Sequence, residues 1–218
     1  METIELTEDE VETPRLVYGV GINDAEYAVQ KRETVEVDGK RKRRLVWYCP
    51  YYRVWKNMLQ RCYSSKLHER QPTYKGCSVT EEWLTFSKFK AWMEKQKWED
   101  KQLDKDLLFK DNKVYSDKTC VFVSKMVNTF TIDRGNDRGE WMIGVYWHKT
   151  SSKFLSQCNN PFTKKYEHLG YFQCELEAHQ AWLKRKLELA YQLAAEQTDE
   201  RVSKALIERY TNYTNLGV

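Results

Sequence analysis

The chain has 218 residues, 41% hydrophobic and 31% charged, with a formal charge of +4. That composition excludes an unfolded polyelectrolyte, and the length suits one large domain or two small ones. No apolar run approaches 18 residues and the acidic start has no basic, apolar leader, so neither a membrane partner nor a signal peptide is expected. The charge is uneven. Glu2, Glu5, Glu8, Asp9, Glu10 and Glu12 give the first 14 residues −6, leaving +10 on residues 15–218. A basic body points to a polyanionic partner. The six cysteines, at 49, 62, 77, 120, 158 and 174, form no CxxC pair. They read as buried free thiols in a reducing compartment.

In chain order, Thr34–Val37 and Arg44–Trp47 flank Asp38-Gly39, a strong hairpin signal. Lys40, Arg41, Lys42, Arg43 and Arg44 follow as five consecutive cations, read as a phosphate-grasping hairpin tip. Tyr51–Tyr63 carries an apolar stripe (Tyr51, Val54, Trp55, Met58, Leu59, Cys62) at helical spacing. Ser78 to Glu81 offers capping-box chemistry for one helix reaching about Lys95, with Trp83, Phe86, Phe89, Trp92 and Met93 as core. Leu103–Leu108 reads as a strand, Asp111-Asn112 as a turn and Cys120–Val123 as a strand. Ser124 then caps a short helix through Phe130. Asp133–Gly139 is a Gly-rich, charged linker.

Beyond it come strands at Ile143–Lys149, Lys153–Asn159 and Lys165–Phe172, a long helix from Glu175 and a last helix capped by Asp199. Alternation assigns Val145, Trp147, Phe154, Cys158, Leu169 and Phe172 to the face packed on the helix. The opposite face receives Tyr146, His148, Gln157, Asn159, Tyr166 and His168, with Leu155 as an apolar outlier. Lys149, Lys153, Lys164 and Lys165 sit at the strand ends, where they suit phosphates while the polar face suits base edges.

Four stretches here, Gly144-Val145-Tyr146-Trp147, Lys153-Phe154, His168 to Phe172 and Glu177 to Trp182, resemble the Apetala-type (ethylene-response-factor) DNA-binding domain. That family has G-V-x-W/R, G-K-W/F, L-G-x-F and E-E-A-x-x-A-Y/W in this order. The resemblance covers about 55 residues and implies three antiparallel strands on one helix, reading DNA from the sheet. Family base-contacting arginines correspond to Tyr146, His148 and Asn159, and the tryptophan before L-G corresponds to His168. These departures leave the recognised sequence open.

The centre of the chain is similar to phage and prophage proteins of the HNH-endonuclease kind. The residues that carry this are Trp55-Met58-Arg61-Cys62-Tyr63, then Tyr74, Cys77, Val79, Glu82, Trp83, Phe86 and Phe89, then Leu103-Asp104-Lys105, Tyr115 to Cys120 and Asn128. The resemblance implies a β-β-α scaffold with Asp104 and Asn128 as ligands of one divalent metal ion, Mg2+ in an active nuclease. The catalytic histidine's position holds Lys105. A protonated lysine is a poor base and a good phosphate ligand, so the unit reads as a DNA-clamping relic of a nuclease. Asp106 is a further candidate ligand, Tyr115 a substitute base, and Asp104 could instead be a structural turn carboxylate. His68, His148, His168 and His179 have no metal-ligand spacing among them.

The expected fold is α+β: an N-terminal hairpin, central helices with a β-β-α unit, and a C-terminal three-stranded antiparallel sheet packed on a long helix. The expected division is an acidic tail (1–14), a basic hairpin region (15–50), the nuclease-like domain (51–132), a linker (133–140), the sheet-and-helix domain (141–197) and a final helix (198–218). The expected function is double-stranded DNA binding by a phage-type protein in the host cell cytoplasm, with no cofactor needed for binding. Two alternatives stand beside it: a Mg2+-dependent homing endonuclease, and a phage protein that occupies a host DNA-binding or transcription protein.

Overall fold

A computed structural model of the chain describes residues 16–132 and 140–215, with side chains of the last helix described as far as residue 211. The acidic tail and residues 133–139 of the expected linker lie outside the described residues. The architecture is α+β, in two compact units: residues 1–96 with 113–116, and residues 97–112 with 117–218.

In the first unit, strands β1 (Gln30–Val37) and β2 (Lys40–Tyr48) form the expected antiparallel hairpin. Asp38 and Gly39 both take positive φ, 54° and 69°, as the two central residues of a type I′ turn must. Helix α1 (Pro50–Tyr63) starts on a proline, whose missing N–H costs nothing in the first turn. It buries Tyr52, Trp55, Met58, Leu59 and Cys62. Helix α2 (Ser65–Arg70) is capped by Ser64, whose Oγ accepts from Leu67 N at 3.3 Å.

The single helix expected from Ser78 is replaced by three elements. Strand β3 (Ser78–Val79) comes first, then α3 (Glu81–Leu84) and α4 (Phe86–Met93). The break falls at Thr85, in extended conformation at φ −92°, ψ 124°. Ile22 causes it: its N–H donates to Leu84 O at 2.8 Å, and its carbonyl accepts from Phe86 N at 3.0 Å. These bonds take up backbone groups that a continuous helix would need. Trp83, Phe86, Phe89 and Met93 are still core, and Trp55 Nε1 donates to Trp83 O at 2.7 Å. Strand β3 pairs in parallel with β5 (Val114–Tyr115), an element absent from the sequence expectations.

The second unit opens with β4 (Lys101–Asp104), antiparallel to β6 (Val121–Ser124). Helix α5 (Lys125–Thr131) follows, with Ser124 Oγ accepting from Val127 N at 3.2 Å as the expected cap. The three-stranded antiparallel sheet is β7 (Val145–His148), β8 (Lys153–Asn160) and β9 (Lys165–Phe172), in that order. Helices α6 (Glu175–Ala195) and α7 (Glu200–Asn215) complete the unit.

One core cluster joins Val121, Val123, Val127 and Phe130 to Trp182, Leu183, Leu189, Leu193, Leu206 and Tyr210. The core therefore continues across the boundary expected at 133–140. The β-β-α element is too small to bury its own apolar residues, so it shares the core of the sheet and helices. None of the six cysteines is in a disulfide; five are buried as expected and Cys174 is exposed.

Candidate nucleic-acid interface

The register of the C-terminal sheet fixes which side chains share a face. Tyr146 lies opposite Leu155 and His148 opposite Lys153. Gln157 faces His168, Asn159 faces Tyr166, and Leu155 faces Tyr171. Since directly opposed residues point the same way, Tyr146, His148, Lys153, Leu155, Gln157, Asn159, Tyr166, His168 and Tyr171 share one surface. Val145, Ser156, Cys158 and Asn160 are buried on the other. The six polar positions assigned from sequence all fall on the outer surface.

A bulge makes this possible. Ser156 pairs with Gly170 and Gln157 with His168, so Leu169 is the extra residue in β9. A regular strand could not turn both Leu169 and Phe172 inward, because residues three apart lie on opposite faces. With Leu169 inserted, Tyr171 returns to the outer surface. Its ring centroid is 5.1 Å from His148 and 4.9 Å from His168, edge-on to both. Tyr171 was missed in the sequence reading. Its signal was that same impossible spacing of Leu169 and Phe172.

The outer rings are open to solvent: Tyr166 is 70% exposed, and Tyr146 and Tyr171 each 44%. Lys149, Lys164 and Lys165 are exposed and Lys153 half-buried, at the strand ends as expected. Trp147, assigned inward, is 41% exposed and packs edge-on to Phe154 at 4.9 Å. On the helix side, Arg185 of α6 grips Glu167 of β9 through Nε at 2.7 Å and Nη2 at 3.1 Å. Hydrogen bonds from Arg185 and Asn160 hold the Glu167 carboxyl below the usual carboxylate range. This fork ties β9 to the helix without using any outer-face group.

The cations of the first unit differ from their expected placement. Lys40 to Arg44 are strand residues of β2, not turn residues, and all are exposed. Alternation puts Arg41 and Arg43 on one face of the ribbon and Lys40, Lys42 and Arg44 on the other. Glu36 lies opposite Arg41 and Glu33 opposite Arg44. A single phosphate backbone laid along one face would meet two or three of the five.

The β-β-α element of the second unit is organised around the loop that follows β4. Asp104 closes β4, and its Oδ1 accepts from Asp106 N at 3.0 Å and Leu107 N at 2.7 Å. This carboxylate turn ends the strand four residues before the expected Leu108. Burial raises the Asp104 carboxyl above its ordinary value, the Asp106 charge adding to it, against those two backbone donors. Lys105 is buried, at 7% exposure. Its Nζ donates to Asn112 O at 2.7 Å and to Asp106 Oδ2 at 3.0 Å, while Asn112 Nδ2 donates to Lys105 O at 2.7 Å. Asn128 Nδ2 donates to Gln102 Oε1 at 2.6 Å, which places it toward the face of β4 that also carries Asp104.

At the positions the nuclease resemblance assigns to a divalent cation, Asp104 Oδ1 already serves two N–H groups and Asn128 Nδ2 donates to Gln102. The Lys105 ammonium sits on the carboxylate of Asp106, so Asp104 Oδ2 and Asn128 Oδ1 are the oxygens that would hold such a cation. Among the described residues, no group of three His, Cys, Asp or Glu is placed to hold a metal. Tyr115 is 1% exposed, and burial drives its phenol far above the ordinary value, away from what a base needs.

Lys105 as placed closes the 105–112 loop, a role different from the phosphate contact expected of it. Lys105→Ala should cost about 2 kcal/mol, the value of hydrogen bonds to a buried charged group. The loss should appear as faster amide exchange across 105–112. A drop in DNA affinity with that exchange unchanged would return Lys105 to phosphate binding.

Comparison of the chain with family models, with curated proteins and with solved structures gave no match.

Proposed function

We propose that the protein binds double-stranded DNA through the outer face of β7–β8–β9, as a phage-type DNA-binding protein acting in the host cell cytoplasm. The observation that carries this reading is the single surface bearing Tyr146, His148, Gln157, Asn159, Tyr166, His168 and Tyr171, edged by Lys149, Lys153, Lys164 and Lys165. Amide and imidazole groups on a sheet can meet base edges in the major groove, and lysines at the margin can neutralise phosphates. The exposed basic ribbon of β1 and β2 adds a sequence-independent contribution. The β-β-α element serves as scaffold in this reading. Asp104 and Lys105 are bound into its loop by hydrogen bonds.

The test is a pair of single substitutions. Lys153→Ala should weaken all DNA sequences alike and lower the salt slope by about one unit, as for one lost phosphate contact. Gln157→Ala should instead change the sequence preference in a selection from random DNA. The same protein incubated with plasmid and Mg2+ or Mn2+ at neutral pH should leave it supercoiled. Unchanged binding in both variants removes the sheet as the DNA surface, and robust cleavage abolished by Asp104→Ala makes the protein a nuclease.

A further inference from the structure

A cavity of about 800 Å3 lies within the second unit, beside β8 where that strand runs past the start of β7. The last link between the two strands is Gln157 N donating to Gly144 O at 3.0 Å. Among the described residues, no strand pairs with β8 beyond it on that side. The outer sheet face supplies Tyr146, Gln157, Asn159 and Tyr166 to one wall, and Lys125, Met126 and Thr129 of α5 line another. The volume falls in the range of small-molecule sites, about 300–1,000 Å3.

The chemistry of the walls is selective. Lys125, Lys164 and Lys186 contribute three cations, and no Asp or Glu is among the described lining residues. Phe130, Tyr146, Tyr166 and Trp182 contribute rings, while Gln157 and Asn159 contribute two amides, each both donor and acceptor. Lys186 is buried in place: its Nζ donates to Phe130 O at 2.8 Å and lies 3.6 Å from the centre of the Phe130 ring. Burial pushes its ammonium pKa down to about 8, the Cys158 thiol opposing and Arg209 adding to that shift. Cations alone would suit any anion, and rings alone any apolar body. Cations with flat rings and paired amides suit a planar heterocycle carrying a phosphate.

We infer that this cavity binds a single nucleotide, its phosphate at Lys125 and Lys164 and its base against the Tyr146 and Tyr166 rings, read by Gln157 and Asn159. Two sources share that chemistry: a free nucleoside monophosphate, or an unpaired nucleotide displaced from a DNA duplex. The second rests on the duplex-binding reading above; the first does not.

The experiment uses the full chain and three probes: a labelled duplex of about 20 base pairs, the same duplex with one unpaired adenosine, and free deoxyadenosine monophosphate as competitor and in calorimetry. The duplex with the unpaired nucleotide should bind about tenfold tighter than the intact one, the size of one base stacked on aromatic side chains. Thr129→Trp, which fills the cavity from an exposed helix position, should abolish that ratio and leave intact-duplex affinity in place. Lys125→Ala should lower the ratio and weaken the free nucleotide. Equal binding of both duplexes with no uptake of the free nucleotide overturns the cavity's role and leaves duplex binding standing. Uptake of the free nucleotide without any duplex binding keeps the cavity as a mononucleotide site and removes the duplex reading. If no probe binds, both fall.

Discussion

Gly144→Ala should destabilise the second unit by about 2–5 kcal/mol, a large fraction of the stability of a domain this size. Gly144 holds φ at +82°, where a β-carbon costs about 1–2 kcal/mol. A Cβ there would also fall on Cγ and Cδ1 of Trp182. Trp182 is held by its neighbours: it is 5% exposed, stacked on His179 with centroids 5.6 Å apart and packed edge-on to Tyr210, and a retreat would break these contacts. Overpacking of that kind costs a further 1–3 kcal/mol or so. Gly144 O also accepts the Gln157 N–H, so displacing it disturbs the entry to the sheet and the cavity beside it. Thermal denaturation should show a midpoint lowered by roughly 10 °C, and urea denaturation a lower midpoint concentration. A midpoint within about 2 °C of the unaltered protein would mean that the close approach of Gly144 to Trp182 is not maintained in solution. The same geometry gives a physical reason for the glycine that opens the Gly144-Val145 motif.

Changing Arg41, Arg43 and Arg44 together to Ala should lower duplex affinity on the order of a hundredfold at 0.15 M salt, with the loss shrinking as salt rises. Each phosphate contact contributes about 0.9 to the slope of log affinity against log salt, so the slope should fall by about two to three units. The lower figure applies if only the Arg41 and Arg43 face touches DNA, because Arg44 projects from the other side of β2. Folding should be unaffected, since all three are exposed and the Asp38-Gly39 turn stays intact. The readouts are affinity across a salt series and circular dichroism of the variant. A loss independent of salt would make the ribbon a structural element instead of an electrostatic one.

What was legible in the sequence was local. Asp38-Gly39 announced its hairpin because only such residues accept two successive positive φ values cheaply. Ser124 announced α5 because a hydroxyl before a helix satisfies its first N–H groups. The outer sheet face was readable because side chains alternate with period two, and Leu169 with Phe172 signalled the one place where that period breaks. Tertiary structure decided the rest, through partners distant along the chain. Ile22 splits the 78–95 helix by taking the backbone groups of Leu84 and Phe86, and nothing near Thr85 foretells it. Val114 and Tyr115 suit a strand by type, but a stretch of two residues becomes one only because β3 offers an edge. Lys105 and Asn128 matched a nuclease pattern in spacing, but a spacing does not say which oxygen a side chain meets. The loop turns Lys105 onto Asn112 and Asp106, and Gln102 takes the amide of Asn128. The cavity beside β8 was out of reach for the same reason: its walls, α5 and the sheet, are brought together by a core that spans both sides of residues 133–139.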